Sequence, residues 1–309
     1  MSEVRFDGRV AIVTGAGGGL GRTYAEELAR RGAKVVVNDL GGATDGTGGG
    51  ASMADETVDA IREAGGEAVA NYDSVATPEG GQGIVGTALE VFGGVDIVIN
   101  NAGILRDKSF AKLEVADLDA IIDVHLKGAF YVTQPAFRVM KDRGYGRILF
   151  TSSSSGIWGN FGQTNYGAAK TGLLGLSNVI SIEGAKHNIQ SNVIAPAAQT
   201  RLTAGLGGGG EPDEAQQRLQ DPRQVTSLSC FLVSEDCPLT HEVFAVGYGR
   251  VSRVFIGMSP PWFHEGEAAF ASLEDIRDNL ETIMSTDGFT IPKNTMDEMA
   301  PVFAHLKGE

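Results

Sequence analysis

Residues 9–40 read RVAIVTGAGGGLGRTYAEELARRGAKVVVNDL, and they decide the fold. RVAIV is a short β-branched run, the glycine-rich TGAGGGLGR follows it, and Tyr24, Leu28 and Ala29 then fall at helical spacing. KVVVNDL is a second apolar run, so the stretch completes a βαβ unit of the expected size. A glycine turn between strand and helix aims backbone N–H groups and a helix N-terminus at a phosphate. The usual G-x-G-x-x-G frame counted from Gly15 fails at Leu20, and the spacing is instead T-G-x-x-x-G-x-G through Gly15, Gly19 and Gly21. Gly15, Gly19, Leu20 and Gly21 are therefore the candidate pyrophosphate contacts.

Asp39 ends the second run. A carboxylate there accepts both ribose hydroxyls of an adenosine and repels a 2′-phosphate, so NAD is expected rather than NADP. A loop-capping aspartate is the plainer reading, and the glycine turn in front of it weighs against that.

Working outward, residues 41–51, GGATDGTGGGA, read as a solvated insertion rather than a lid. EAVANYD is a third strand and VDIVINNAG a buried fourth, after which Asp73 and Ser74, then Asn101, Ala102 and Gly103, can rim a cofactor. Val115 to Arg143 reads as one long helix, broken or kinked near Pro135. RILFTSSS is a fifth strand, Tyr166 to about His187 a helix, and IQSNVIAPA a sixth strand ending at Pro196. Strands alternate with helices, so the expected fold class is α/β: a Rossmann doubly wound parallel sheet with helices on both faces, in one domain over 1–250 with a C-terminal extension over 251–309. Gly207 to Gly210 has the pattern of a flap over the carboxyl ends of the strands, and Leu273 to Met284 that of a helix packed on the core or on a partner subunit.

Within Thr151–Lys170, TSSSSGIWGNFGQTNYGAAK, Tyr166 and Lys170 are four residues apart and share a helix face. A free tyrosine titrates near ~10, and lowering that by ~3 units takes roughly 4 kcal/mol of differential stabilisation. An adjacent ammonium can contribute to it.

Lys plus Arg number 25 and Asp plus Glu 39, a net charge of −14, which argues against a broad nucleic-acid or anionic-membrane surface. Cys230 and Cys237 lack metal-ligand partners nearby in sequence, read as structural thiols, and suit a reducing compartment. No apolar stretch approaches the ~18 residues of a membrane span, MSEVRFDGR is not a signal peptide, and HLKGE is not a peroxisomal address. A cytoplasmic protein is expected.

TGAGGGLG, NNAG, the serine cluster and Tyr166-x-x-x-Lys170, in this order, resemble the short-chain dehydrogenase/reductase family over about residues 5–250. The resemblance implies a catalytic Tyr166, a Lys170 that lowers its pKa and holds the nicotinamide ribose, and a Ser153, thirteen residues before the tyrosine, that polarises the substrate oxygen. Pro196 would belong to the cofactor site, although the family's usual Pro-Gly is here Pro196-Ala197. His125, in VHLKG, stands where most members carry an asparagine; a buried structural histidine and a relay member both remain open. The segments NNAGILRDKSF, VHLKGAF, GNFGQTNY and FAVGYGR are similar to the (3R)-hydroxyacyl-CoA dehydrogenases of the family. That similarity implies an acyl-CoA alcohol as substrate, with a hydroxysteroid as the second reading. The family's pairing of its long helices implies a homodimer or homotetramer. A non-catalytic dinucleotide-binding protein is the different-class alternative, and it would not need the Ser153, Tyr166 and Lys170 set.

Overall fold

The computed structural model describes residues 3–198, 213–265 and 270–307. The strands form where apolar runs are bounded by turns: Val10–Thr14 (β1), Lys34–Asn38 (β2), Glu67–Asn71 (β3), Ile97–Asn100 (β4), Gly146–Thr151 (β5), Ile189–Pro196 (β6) and Val243–Gly247 (β7). Arg250–Val254 adds an eighth, β8, and the sheet order is β3-β2-β1-β4-β5-β6-β7-β8. The pairings from β3 across to β7 are all parallel. The edge departs from the expected all-parallel sheet. β7 and β8 are joined by Tyr248-Gly249, whose φ values are 55° and 74°. A two-residue turn with both φ positive links only antiparallel strands.

Successive residues of one strand feed opposite layers. Ala11 and Val13 of β1 pack with Tyr24 and Leu28 on one face, while Val10 and Ile12 pack with Ile84, Val132 and Leu173 on the other. The first face carries helices Gly19–Arg30 (α1), Ser52–Glu63 (α2) and Arg223–Leu232, the second Pro78–Phe92 (α3), Gly128–Arg143 (α5) and Thr164–Gly184 (α7). Both faces of the sheet are covered, which explains why β1, β2, β4 and β5 carry consecutive apolar residues instead of alternating.

The long helix expected over 115–143 is interrupted before Pro135, not at it. Val115–Ile122 (α4) leads into a wider π turn at Asp123–Lys127, and α5 then runs through Pro135 without a break. Proline deprives the Tyr131 carbonyl of its helical donor. That carbonyl faces Gly81 of α3, where an added Cβ would sit 2.3 Å from it, so the two helices meet backbone to backbone. The helix expected from Leu273 to Met284 is two, Leu273–Asp278 and Leu280–Met284. Asn279 divides them, its side-chain amide donating 2.8 Å to the Asp275 carbonyl.

The chain divides into compact units Met1–Arg253 and Val254–Glu309. Within the second, Phe255 stacks on Phe289 and Phe263 on His305. The Gly207–Gly210 flap lies outside the described residues. Among those described, no helix is long and apolar enough to cross a membrane, and no three His, Cys, Asp or Glu side chains cluster as a metal site.

Candidate active site

The glycine turn is shaped by close approaches. Gly15 and Gly19 take φ of 63° and 54°, the left-handed region that glycine enters at least cost. A Cβ on Gly21 would lie 2.2 Å from the Gly15 carbonyl oxygen and 2.6 Å from Asn101 Nδ2, so only hydrogen fits there. No side chain caps the start of α1. Its first-turn N–H groups therefore stay free for an anion.

Asn101 serves the turn. Its Nδ2 donates 3.0 and 3.1 Å to the carbonyls of Thr14 and Gly15, while Asn101 N and Ala102 N donate to Thr14 Oγ1. Gly103 makes room for His125: a Cβ there would be 2.5 Å from the ring's Cε1. Asp39 closes the far side, its two oxygens accepting from Gly17 N at 2.8 Å and Gly41 N at 2.7 Å.

These residues border a cavity of about 340 Å³ lined by Gly15, Gly19, Leu20, Asp39, Asp73, Ser74, Asn101, Ala102 and Gly103. Gly21 lies behind that wall, and Pro196 sits at the end of β6 opposite Val246. The segment 41–51, expected to be a solvated insertion, also lines the cavity with Gly42, Ala43, Thr44 and Gly46. It is pinned there by backbone: Leu105 N donates to the Thr44 carbonyl and Arg106 Nε to that of Asp45, each at 2.9 Å. Composition identifies a loop but not the partners of its carbonyls.

At the neighbouring edge, β5 delivers the serines and α7 the tyrosine and lysine. Ser153 begins the short helix Ser154–Trp158 (α6), and its Oγ accepts from Ser155 N at 3.1 Å. Buried Ser152 donates to the Lys170 carbonyl, 2.8 Å, and Ser155 to Gln163 Oε1, 2.6 Å. Lys170 is 3% exposed; its Nζ donates 2.6 Å to the Thr151 carbonyl and lies 5.5 Å from the centre of the Tyr166 ring. Burial pulls the Lys170 ammonium down to about 7. Burial raises the Tyr166 phenol, the Ser153 hydrogen bond works against that, and the Asp107 charge reinforces it.

His125 occupies the π turn. Its Nε2 is 2.8 Å from the Ile104 carbonyl, Nδ1 is buried without a hydrogen-bond partner among the described residues, and the ring meets Tyr166 edge-on at 5.1 Å. Burial first, and then the Lys170 charge, hold it well below its ordinary value. The Ile104 N–H also lies 3.1 Å from Nε2, so a neutral ring either donates Nε2–H to the Ile104 carbonyl or accepts from the Ile104 N–H.

Sequence reasoning missed a second network. Gln163 Nε2 donates 2.7 Å to Asp107 Oδ2, and Asn165 Nδ2 donates to the carbonyls of Arg106 and Asp117 at 3.2 and 3.3 Å. These bonds tie the loop after β4 to the start of α7. The available signal was polar side chains flanking Tyr166 in GNFGQTNY.

A parallel sheet with a glycine turn at one helix start, and a buried lysine beside a tyrosine at the next strand end, defines a dinucleotide-dependent oxidoreductase. The model of the short chain dehydrogenase family matches residues 9–206, and the chain belongs to that family. It is 49% identical to a short-chain type dehydrogenase/reductase of Mycobacterium tuberculosis, covering 87% of this chain and 94% of that one. It is 53% identical to mouse peroxisomal multifunctional enzyme type 2 over 82% of this chain and 33% of the relative. The solved full-length Drosophila melanogaster enzyme of that name superposes with a TM-score of 0.81 at 36% identity, over 99% of this chain and 50% of that one. The chain thus spans a third to a half of these multifunctional proteins. A hydroxyacyl-CoA dehydrogenase of M. tuberculosis is 38% identical over 83% of this chain and 81% of its own.

The expected cytoplasmic placement is corrected by the relatives. Those of mouse, Drosophila, Dictyostelium discoideum, Saccharomyces cerevisiae and Neurospora crassa are named peroxisomal. Net charge and scarce cysteines separate a reducing compartment from an oxidising one; they do not separate the cytosol from an organelle.

Proposed function

We propose that the chain interconverts a secondary alcohol and a ketone with NAD, and that the alcohol is a (3R)-3-hydroxyacyl-CoA. The observation that carries the reading is the buried Lys170 ammonium 5.5 Å from the Tyr166 ring, lining a small pocket that shares Val75, Ala102 and Val124 with the cavity built on the glycine turn. In this reading Gly15, Gly19 and Leu20 receive the pyrophosphate, Asp39 the ribose hydroxyls, Asp73 and Ser74 the adenine, and Pro196 stands at the nicotinamide end. When bound, the nicotinamide supplies the hydride acceptor.

Tyr166 takes the hydroxyl proton and Ser153 hydrogen-bonds the same oxygen. Lys170 stabilises the phenolate by charge. Thr151 holds the Lys170 ammonium, and His125 fixes the Tyr166 ring by its edge. For the cofactor, the half-buried Asp39 carboxylate with no cation bonded to it among the described residues supports NAD over NADP, since a 2′-phosphate would meet like charge. For the substrate, names such as hydratase-dehydrogenase-epimerase among the relatives support an alcohol made by hydration of an acyl chain, as does the hydroxyacyl-CoA dehydrogenase relative.

NADH formation should be measured in parallel with (3R)-hydroxyacyl-CoA, its (3S) epimer and a 17β-hydroxysteroid, with NAD and NADP. Turnover of the (3R) ester with NAD is expected; activity confined to the (3S) epimer or the steroid refutes the substrate, and equal use of NADP refutes the cofactor. We propose further that residues 1–250 are the dinucleotide-binding domain, with 251–309 an extension, and that the chain works as a homodimer or homotetramer. Exposed Phe130 on α5 and Val179 and Ile182 on α7 support the assembly, and a monomer by light scattering would refute it.

A further inference from the structure

β2 and β3 end alike, VVVN at Asn38 and AVAN at Asn71, and the two asparagines are directly paired in the register. Both are buried, at 1% and 6% exposure. A buried amide is tolerated when its donors and acceptor are matched. Here the matching converges on one residue. Asn38 Nδ2 donates 2.8 Å to Asn71 Oδ1 and 2.9 Å to the Asp73 carbonyl. Asn71 Oδ1 also accepts from Asp73 N at 3.1 Å, and Asn71 Nδ2 donates 2.8 Å to Asp73 Oδ2 and 2.9 Å to Thr87 Oγ1. Thr87 spends its own hydrogen on the Gly83 carbonyl, 3.0 Å, so toward Asn71 it can only accept. That sets which way the Asn71 amide points. Gly83 completes the seat, because a Cβ there would be 2.4 Å from Asp73 Oδ2.

The backbone N–H, the carbonyl and one carboxylate oxygen of Asp73 are thus all fixed. Oδ1 accepts no hydrogen bond among the described residues, and Asp73 lines the cavity beside Asp39 and Ser74. We propose that Asn38, Asn71 and Thr87 are positioning residues that turn Asp73 into an acceptor selective for the exocyclic amine of adenine. The proposal rests on the dinucleotide reading above. An amine at that position of the purine donates to the carboxylate, whereas the carbonyl oxygen of hypoxanthine faces it lone pair to lone pair and is rejected. Thr87 and Asn71 do not touch the cavity, so their effect passes through Asp73.

The test is calorimetric titration of the full chain with NAD and with nicotinamide hypoxanthine dinucleotide, alongside steady-state kinetics. Wild type should bind NAD at least about tenfold more tightly, the scale of one hydrogen bond to a charged group. Asn71→Ala should bring the two dissociation constants within about twofold, by weakening NAD alone. Thr87→Val, nearly isosteric, should lower the ratio by roughly threefold, as expected for loss of one neutral hydrogen bond. A wild type without discrimination, a folded Asn71→Ala that keeps the ratio, or equal weakening of both ligands overturns the proposal. Should Asn71→Ala not fold by circular dichroism, an unchanged ratio in Thr87→Val overturns it. Tighter binding of NADP than NAD by wild type would refute the proposed cofactor while leaving the adenine-to-hypoxanthine ratio readable.

Discussion

The two ends of the site are built on opposite electrostatic terms. At the glycine-turn end, half-buried Asp39 has both oxygens engaged by backbone N–H groups, and exposed Asp73 has Oδ2 held by a side-chain amide. At the other end, among the described residues, buried Lys170 donates from Nζ to the Thr151 carbonyl alone and His125 Nδ1 has no partner, while the Tyr166 phenol is raised by burial. One end is held by hydrogen bonds and shaped; the other is poorly solvated, and its lysine is pulled down to about 7. The difference separates binding from chemistry. Satisfied groups hold geometry, and under-solvated ones change protonation state at small cost.

The largest expected effect tests that separation directly. Tyr166→Phe removes the proposed acid–base group and should lower kcat by at least ~100-fold, the usual scale for losing a positioned general base. The dissociation constant for NAD should move by less than about threefold, because the ring's contacts are to His125 and the hydroxyl is not part of the cavity wall. Near-normal turnover would remove Tyr166 from the chemistry. A large loss of cofactor affinity would show that the two ends are not independent.

How far the chain could be read ahead of its structure follows the same division. RVAIV, KVVVN, EAVAN and RILF each carry an uninterrupted apolar run of three or four residues between polar ends, so the sheet was visible in the residues, as was the turn that Gly15, Gly19 and Gly21 build. The four-residue spacing of Tyr166 and Lys170 likewise needs only a helix. What could not be read depends on partners distant in sequence. The helical period from Val115 to Arg143 does not falter at Asp123–Lys127, and the π turn exists because His125 must reach Ile104 while Gly103 yields to its ring. Pro135 suggested a break because the sequence does not show Gly81 lying against the Tyr131 carbonyl. The 41–51 loop looked free because its composition does not show the Thr44 and Asp45 carbonyls accepting from Leu105 N and the Arg106 side chain. Asn38 and Asn71 were overlooked as strand ends, although two polar residues closing two apolar runs in register were a readable sign.

A smaller effect sharpens the account of the chemical end, and it is one of stability. Unfolded, Lys170 titrates near ~10.4, whereas folded it titrates at about 7 because burial disfavours the ammonium. Between those pH values the unfolded chain holds the extra proton, so the cost of burying Lys170 is complete below about pH 7 and is relieved as pH rises toward 10. Lys170→Met removes the charge and keeps the stem. At about pH 6.5 the variant should be the more stable by at least ~1 kcal/mol, as when a buried charge gives way to an apolar side chain, raising Tm by about 2–4 °C. It also leaves the Thr151 carbonyl without its donor, but that penalty is the same at every pH. The readout is therefore the difference in Tm between variant and wild type, which should shrink steadily toward pH 10. A difference that stays constant, or a variant less stable at pH 6.5 and relatively more stable at pH 10, would mean that Lys170 is not held under strain and that the two ends of the site are solvated alike.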